Sequence, residues 1–289
     1  MGDAAGALRD AAQALADFSD TPRLDAELLL AHGLQIDRSE LLLNLPELDA
    51  PADFPGLVER RQRSEPIAHI IGRKEFWGLD LQVSPDVLIP RPDSELLIEE
   101  AVRLFAAAPL QRIVDLGTGS GALLLAALHE FPDAGGVGID ASAAALQIAH
   151  ENADALGLAD RAGFLLLDWT RPDWTDSLGS GFDLILANPP YVATGAGLSA
   201  DVADFEPHQA LFAGKEGLDD YRILIPSLDK LLSPRGTALL EIGFDQAKSV
   251  GAMAKEQGYH VELKQDLSGN DRMIVLHRQK GLGFAGASR

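Results

Sequence analysis

From Arg112 onward the chain alternates strand-like and helical segments, and that alternation leaves few folds open. Short β-type runs stand at 113–116, 136–139, 163–167, 183–187, 237–242, 260–263 and 273–276. Helical stretches separate the early runs, so successive strands must cross over and pair in parallel. The sheet is then covered by helices on both faces. Only a loop, 264–272, lies between the last two runs, which predicts an antiparallel pair at the end of the sheet.

The first 75 residues read differently, as short helices. Leu8, Ala11, Ala12 and Leu15 repeat at helical spacing. Thr21 before Pro22 is a start signal, a capping hydroxyl followed by proline at the first helical position. Leu24, Leu28 and Ala31 predict the apolar stripe of that helix, and Ser39 predicts a cap for another through Leu41, Leu42 and Leu43. A further helix is expected over 55–63. Residues 75–83 carry β-type residues around Gly78 and suggest a hairpin. Pro90 and Pro92 then stiffen the chain, and Asp93 or Ser94 is expected to cap a helix through Phe105. The expected organisation is a helical domain over 1–75, a hairpin linker over 76–92, a large α/β domain over 93–280 and a disordered tail over 281–289.

Composition removes several classes of chemistry. The 289 residues contain no cysteine, so thiol nucleophiles, disulfides and zinc ribbons are excluded. The seven histidines show no ligand-pair spacing, and no metal site is expected. No apolar run approaches the ~18 residues of a membrane span, and no signal core follows Met1, so a cytoplasmic protein is expected. Acidic residues number 44 against 24 basic ones, giving a net charge of −20. Phosphate backbones are bound by Lys and Arg, so this balance disfavours a nucleic-acid substrate. An acidic surface can equally serve solubility. Arg60, Arg61, Arg63, Arg73 and Lys74 form a late basic cluster in the first part, either a solvated face or a contact for an acidic partner.

The first chemical motif is the loop after the 113–116 strand, Asp115-Leu-Gly117-Thr118-Gly119-Ser120-Gly121. Glycines permit a tight turn and close backbone approach, and the following helix start attracts an anion. Such a loop could hold the pyrophosphate of a dinucleotide or the carboxylate end of S-adenosylmethionine. Asp140 ends the next strand, where an acidic residue meets ribose hydroxyls in either cofactor class, although it could instead cap the helix near Ala143. Asp168 and Trp169 follow the third strand. They offer an acceptor for an adenine amino group and a flat face for its ring, or Trp169 simply fills the core.

The motif that separates these readings is Asn188-Pro189-Pro190-Tyr191, directly after the 183–187 strand. Two prolines stop the ladder and are expected to leave the carbonyls of Asn188 and Pro189 pointing outward. Together with the Asn188 side-chain oxygen they can grip both hydrogens of one planar –NH2 group, against which Tyr191 packs. Such a nitrogen is a poor nucleophile because its lone pair is delocalised. Fixing both N–H bonds orients that lone pair for attack on a methyl donor. A dinucleotide oxidoreductase would leave this motif unused.

The whole chain resembles the peptide chain release factor glutamine methyltransferases of the PrmC/HemK type. The residues that carry the likeness include Pro22-Arg-Leu-Asp-Ala-Glu27, Glu65-Pro-Ile-Ala-His69, Leu88-Ile-Pro-Arg-Pro-Asp-Ser-Glu95, the glycine loop, Asn188 to Tyr191, Leu240-Glu-Ile-Gly243 and Gly269-Asn-Asp-Arg272. The resemblance implies a class I methyltransferase (Rossmann-like) α/β fold. Its seven-stranded mixed sheet would be joined through a β-hairpin linker to a small N-terminal helical bundle. It implies methyl transfer from S-adenosylmethionine to the Gln side chain of the Gly-Gly-Gln motif in release factors; separately, a monomer is expected. Asp115, Gly117, Thr118, Gly119, Ser120, Gly121, Asp140, Asp168, Trp169 and Asn188 would hold the cofactor. Arg91, Pro92 and Asn188 to Tyr191 would line the substrate site. The rival is an N6-adenine methyltransferase, which would use the same grip on a flipped base.

Overall fold

The computed structural model describes residues 3–278. The expected tail at 281–289 lies outside the described residues. The chain forms two compact units: one comprises the chain up to Lys74 with Gln82–Pro85 and Gly197–Pro207, the other Glu75–Leu81, Asp86–Ala196 and the chain from His208.

The first unit is built on α1 (Ala4–Ala14), α2 (Pro22–Leu34), α3 (Arg38–Asn44), α4 (Phe54–Gln62) and α5 (Ile67–Ile71). Leu8, Leu15, Leu29, Leu30, Leu41 and Phe54 meet in its core. Three expectations for this region are corrected. Thr21 stands at the N-cap of α2, but its hydroxyl donates to Asp25 instead of accepting a backbone N–H. Asp37, not Ser39, caps α3, accepting from the Glu40 N–H at 2.7 Å. Leu24 is exposed, and the inner face of α2 is formed by Ala26, Leu29 and Leu30 with the carboxylates Asp25 and Glu27.

Those two carboxylates are turned inward by arginines from other turns and helices. Arg23 and Arg38 reach the two oxygens of Glu27 at 2.6 and 2.8 Å. Burial raises the Glu27 carboxyl, but the two guanidinium groups outweigh it and hold the group below its ordinary value. Arg61 reaches Asp25 at 2.7 Å, and Arg60 pairs with Glu65. Arg60 and Arg61 therefore serve this unit internally instead of forming a free basic patch.

A hairpin of β1 (Arg73–Phe76) and β2 (Leu79–Gln82) follows. Trp77 and Gly78 both have positive φ, the two-residue turn that matches strand twist. Trp77 is held there by its N–H on Glu95 and its indole N–H on Glu130.

The second unit then runs α6 (Glu95–Phe105), β3 (Arg112–Leu116), α7 (Ala122–Glu130), β4 (Gly135–Asp140), α8 (Ala143–Ala155), β5 (Ala162–Leu166) and β6 (Phe182–Ala187). After α9 (Ala200–Phe205), which belongs to the first unit, come α10 (Asp219–Leu231), β7 (Leu232–Glu241), α11 (Ala247–Glu256), β8 (Tyr259–Gln265) and β9 (Asp271–Arg278). The seven strands pair in the order β5-β4-β3-β6-β7-β9-β8. The first five are parallel, and β9 runs antiparallel to both neighbours, as the short 264–272 loop predicts. Leu184, Leu186 and Leu239 face α6 and α7, while Ile185, Ala187 and Leu240 face α10 and α11. Near-continuous apolar runs such as 184–187 follow from burial on both faces. Among the described residues no helix is long and apolar enough to cross a membrane.

Registration positions the site. The chain moves outward from β3 to β5 and returns to the other side of β3 as β6, which makes the β3/β6 boundary a topological switch point. Leu116 is level with Ile139 and Ala187, and Ala187 with Leu240. Gly117, Asp140, Asn188 and Glu241 therefore emerge side by side at the carboxyl edge.

The Asp25–Arg61 pair gives a stability prediction. Its side chains are only 8% and 12% exposed, so Arg61→Met should cost about 3 kcal/mol by stranding a buried carboxylate. Adding Asp25→Leu should recover most of the loss. Urea denaturation of the full chain measures both; an unchanged midpoint in Arg61→Met would show that the pair contributes nothing.

Candidate active site

Three consecutive strand ends build the first half of the site. After β3, Gly117, Gly119 and Gly121 have φ of 78°, 53° and 85°. The N–H groups of Gly117 and Thr118 both donate to the Ile139 carbonyl, which ties the loop to β4. A Cβ on Gly117 would stand 3.0 Å from the Trp169 ring, whereas one on Gly119 would meet nothing within 4 Å. The loop is thus backed by Trp169 at one glycine and open at another. Gly121 is the N-cap of α7 and has no side chain to cap the helix, and of the first helical N–H groups that of Leu124 faces the buried Asp115 carboxyl.

Asp115 and Thr118 point inward. Asp115 is fully buried and accepts the Thr118 hydroxyl at 2.7 Å. Burial raises its carboxyl to about 7, against the lowering effect of that bond. Ser120 is buried as well, and its carbonyl accepts from Asn152. Asp140 accepts the Gly119 N–H on one oxygen and the Ser142 N–H on the other, both at 2.9 Å. Burial raises this carboxyl too, opposed by those N–H bonds. The cap of α8 is Ser142, so Asp140 is not spent on capping that helix.

Trp169 is half-buried, packs on the core facing α10 and α11, and donates its indole N–H to Asp220 at 2.6 Å. Asp168 is the residue before it. It accepts the Thr170 N–H and hydroxyl, which hold its carboxyl below the ordinary range.

The second half is built on β6, β7 and the start of α6. Asn188 donates its side-chain N–H to Ser94 Oγ at 3.1 Å, and Ser94 donates its hydroxyl to Glu241 at 2.5 Å. Ser94 is the N-cap residue of α6 but makes no capping bond, contrary to expectation. A buried carboxylate is the stronger acceptor partner for its proton. Pro92 and Asp93 form the turn that carries Ser94 inward, with the Ser94 N–H on the Arg91 carbonyl. Tyr191 donates to the other Glu241 oxygen at 3.4 Å. Burial and the Glu241 charge push the Tyr191 hydroxyl to about 12, against the positive charges of Arg272 and Arg91.

The backbone after Asn188 is clamped. Gln246 donates to the carbonyls of Tyr191 and Gly217, both at 2.9 Å. At Gly217 φ is 69° and a Cβ would fall 2.1 Å from the Tyr191 carbonyl, so only glycine fits. Among the described residues the carbonyls of Asn188 and Pro189 accept no hydrogen bond, which leaves their lone pairs for a ligand.

Sequence reasoning missed Ser94, Glu241, Asp220 and Gln246 as site residues. Glu241 did carry a signal, a lone charge inside the apolar run Leu239-Leu240-Glu241-Ile242. Ser94 stood within the Leu88–Glu95 segment that carries the family likeness but was read as a cap, and Asp220 and Gln246 carried no signal, since their partners lie far away in the chain.

Comparison with known proteins gives the family of the chain. Residues 6–72 match the family described as the PrmC N-terminal domain, and residues 108–266 match a methyltransferase domain family. The chain is 42% identical over 263 residues to the release factor glutamine methyltransferase of Caulobacter vibrioides, covering 89% of each chain. It is 40% identical over 266 residues to that of Rhodospirillum rubrum, covering 90% of this chain and 80% of the relative. Among solved structures, the hMettl16 catalytic domain superposes with a TM-score of 0.55 at 16% identity, over 71% of this chain and 77% of that one. That likeness is one of fold.

The buried Asp115 carboxyl makes a pH prediction. Its folded-state value, about 7, lies above the ordinary 3.8. Its contribution to stability is therefore fully present below pH ~4 and lost as pH rises towards 7. Asp115→Asn keeps the Thr118 bond and removes the charge. The variant should melt with the wild type near pH 4 and above it by pH 7, by on the order of a few kcal/mol. A difference that stays constant from pH 4 to 7 would contradict burial as the cause.

Proposed function

The chain belongs to the release factor glutamine methyltransferases, and from that premise we propose its full reaction. It transfers the methyl group of S-adenosylmethionine to the side-chain amide nitrogen of the Gln in the Gly-Gly-Gln motif of peptide chain release factors. The observation that carries the reading is the Asn188 amide, held by Ser94 next to two unpaired carbonyls and level with an open glycine loop.

The residues present fit the cofactor. Gly119 has open space where a side chain would stand, and Asp140 holds the loop around it. The start of α7 offers N–H groups to a carboxylate. Asp140 keeps lone pairs for ribose hydroxyls, and Trp169 and Asp168 flank the place of the base. Asp115, Thr118 and Ser120 support the loop from beneath. When bound, S-adenosylmethionine supplies an electrophilic methyl on a sulfonium that leaves as a neutral thioether.

The protein's own work is orientation. The Asn188 side-chain oxygen and the adjacent carbonyls of Asn188 and Pro189 accept the two N–H bonds of the target amide. That grip fixes the –NH2 group and aims its lone pair at the methyl donor. Tyr191 keeps its proton through the neutral range and packs on the flat face of the amide. Arg91 and Pro92 line the approach. The proton leaves after transfer, so no strong base is required. On this reading residues 1–75 recognise the release factor, 76–92 link and 93–280 catalyse. The enzyme acts in the cytoplasm as a monomer.

A labelled methyl donor with either release factor or duplex DNA tests the assignment. Label is expected in the release factor. Asn188→Ala should lower kcat by about 10²–10³ and weaken donor binding, measured by calorimetry, far less. Label in DNA and none in release factor would overturn the reading in favour of adenine.

A further inference from the structure

Glu241 is an expensive residue for its position. It lies between Leu240 and Ile242 at the end of a central strand and is 1% exposed. A carboxylate there must be compensated by hydrogen bonds. Its partners are the Ser94 hydroxyl on one oxygen and the Tyr191 hydroxyl on the other. Nothing in the methyl-transfer chemistry above uses it directly.

We propose that Glu241, acting through Ser94, is a positioning residue that sets which end of the Asn188 side-chain amide faces the substrate. The proposal rests on the methyl-transfer reading and adds a residue pair to it. A serine hydroxyl has one proton. An ionised carboxylate can only accept, so Glu241 takes that proton's bond at 2.5 Å. The remaining Ser94 lone pairs can only accept, and the Asn188 –NH2 end is drawn to them at 3.1 Å. The carbonyl end of Asn188 is then left for the substrate. Rotated by half a turn, Asn188 would present –NH2 to the –NH2 of the target, donor against donor. The two ends of an amide have nearly the same shape, so packing alone does not choose between them; the direction of the relay does.

Protonation of Glu241 removes that choice. A protonated carboxyl can donate to Ser94, whose own proton is then free to turn toward Asn188. The groups that face Glu241 are Ser94 and Asp93 before α6, Tyr191 after β6, Arg272 on β9 and Tyr221 on α10. Tyr221 donates to the Glu241 backbone carbonyl at 2.7 Å. Arg272, held by Asp93 and Asp266, favours the ionised form, and Asp93 opposes it. Burial dominates and raises the carboxyl to about 7. The polarity of the relay is therefore set above neutrality and lost as pH falls.

The test uses the full chain with release factor, and Glu241→Gln, Ser94→Ala and Ser94→Thr. Wild-type kcat should fall about tenfold per unit below pH ~7. A Gln at 241 can donate or accept, so Glu241→Gln should lose about 10–100-fold in kcat at pH 8, with KM changed by less than about threefold. The low-pH limb should vanish. Ser94→Ala should behave alike, and Ser94→Thr should restore both rate and limb. A second readout is independent of turnover: the Asn188 side-chain N–H resonances, assigned by their loss in Asn188→Asp. They should titrate near pH 7 in the wild type and not in Ser94→Ala or Glu241→Gln. Wild-type kcat and limb in Glu241→Gln, or Asn188 resonances that ignore pH or titrate equally in Ser94→Ala, would overturn the relay. A wild type inactive on release factor whose Asn188 resonances still titrate through Ser94 would sink the substrate reading and leave the relay standing.

Discussion

The structure depends on one pairing choice, that β3 lies between β4 and β6 with all three strands parallel. Parallel ladders place every carboxyl end on one edge, and the reversal of winding at β3/β6 leaves a crevice there. Register does the rest. Leu116, Ile139, Ala187 and Leu240 are level, so the residues that follow them in sequence are neighbours without any long side chain reaching across. The glycine loop, Asp140, Asn188 and Glu241 are brought side by side by the register of the ladder. A one-residue slip of β6 against β3 would turn its apolar side chains to the opposite face and carry Asn188 away.

The same crowding at the strand ends dictates where glycine is required. Positive φ occurs at the three loop glycines, where the backbone must turn within a few residues from strand to helix. Gly217 makes a similar allowance on the far side, because the Tyr191 carbonyl occupies the space of a side chain. Gln246 then satisfies both carbonyls at that contact. The close approach and its hydrogen-bond compensation are therefore one device, which holds the segment after Asn188 in a single conformation.

Much of this was legible in sequence, for a physical reason. Periodicity reports burial, and burial on both faces of a parallel sheet gives unmistakable runs such as 184–187. The five inner strands could be read that way, and the partly exposed edge strands β5 and β8 from their β-type residues. Local polar chemistry was less legible. Thr21, Ser39 and Ser94 each look like helix caps from their neighbours, yet Asp37 outcompetes Ser39, and carboxylates take the protons of Thr21 and Ser94. A hydroxyl's partner is decided by what lies within 3 Å in space, and the Ser94–Glu241 contact spans 147 residues of chain. The basic cluster at Arg60 and Arg61, open to two readings in the sequence, is decided in the same way. Its charges are matched by Glu65 and Asp25 within the same unit.

Two fully buried carboxylates of the second unit, Asp115 and Glu241, repeat one arrangement at different strand ends. Asp115 shares the parity of Ile113 on β3, and Glu241 that of Leu239 on β7, so both belong to the sheet face covered by α6 and α7. Each accepts a hydroxyl from a loop or turn beyond the sheet, Thr118 at 2.7 Å and Ser94 at 2.5 Å. Burial raises both to about 7. An apolar residue at either place would cost less in desolvation. What it would lose is direction, because hydrophobic packing fixes a position but not the sense of a hydrogen bond. At Asp115 the hydroxyl bond pins a loop whose glycines have little side-chain packing of their own. At Glu241 it reaches one group further, to an amide whose two ends differ only in polarity. The same interaction thus fixes shape at one strand end and polarity at the other.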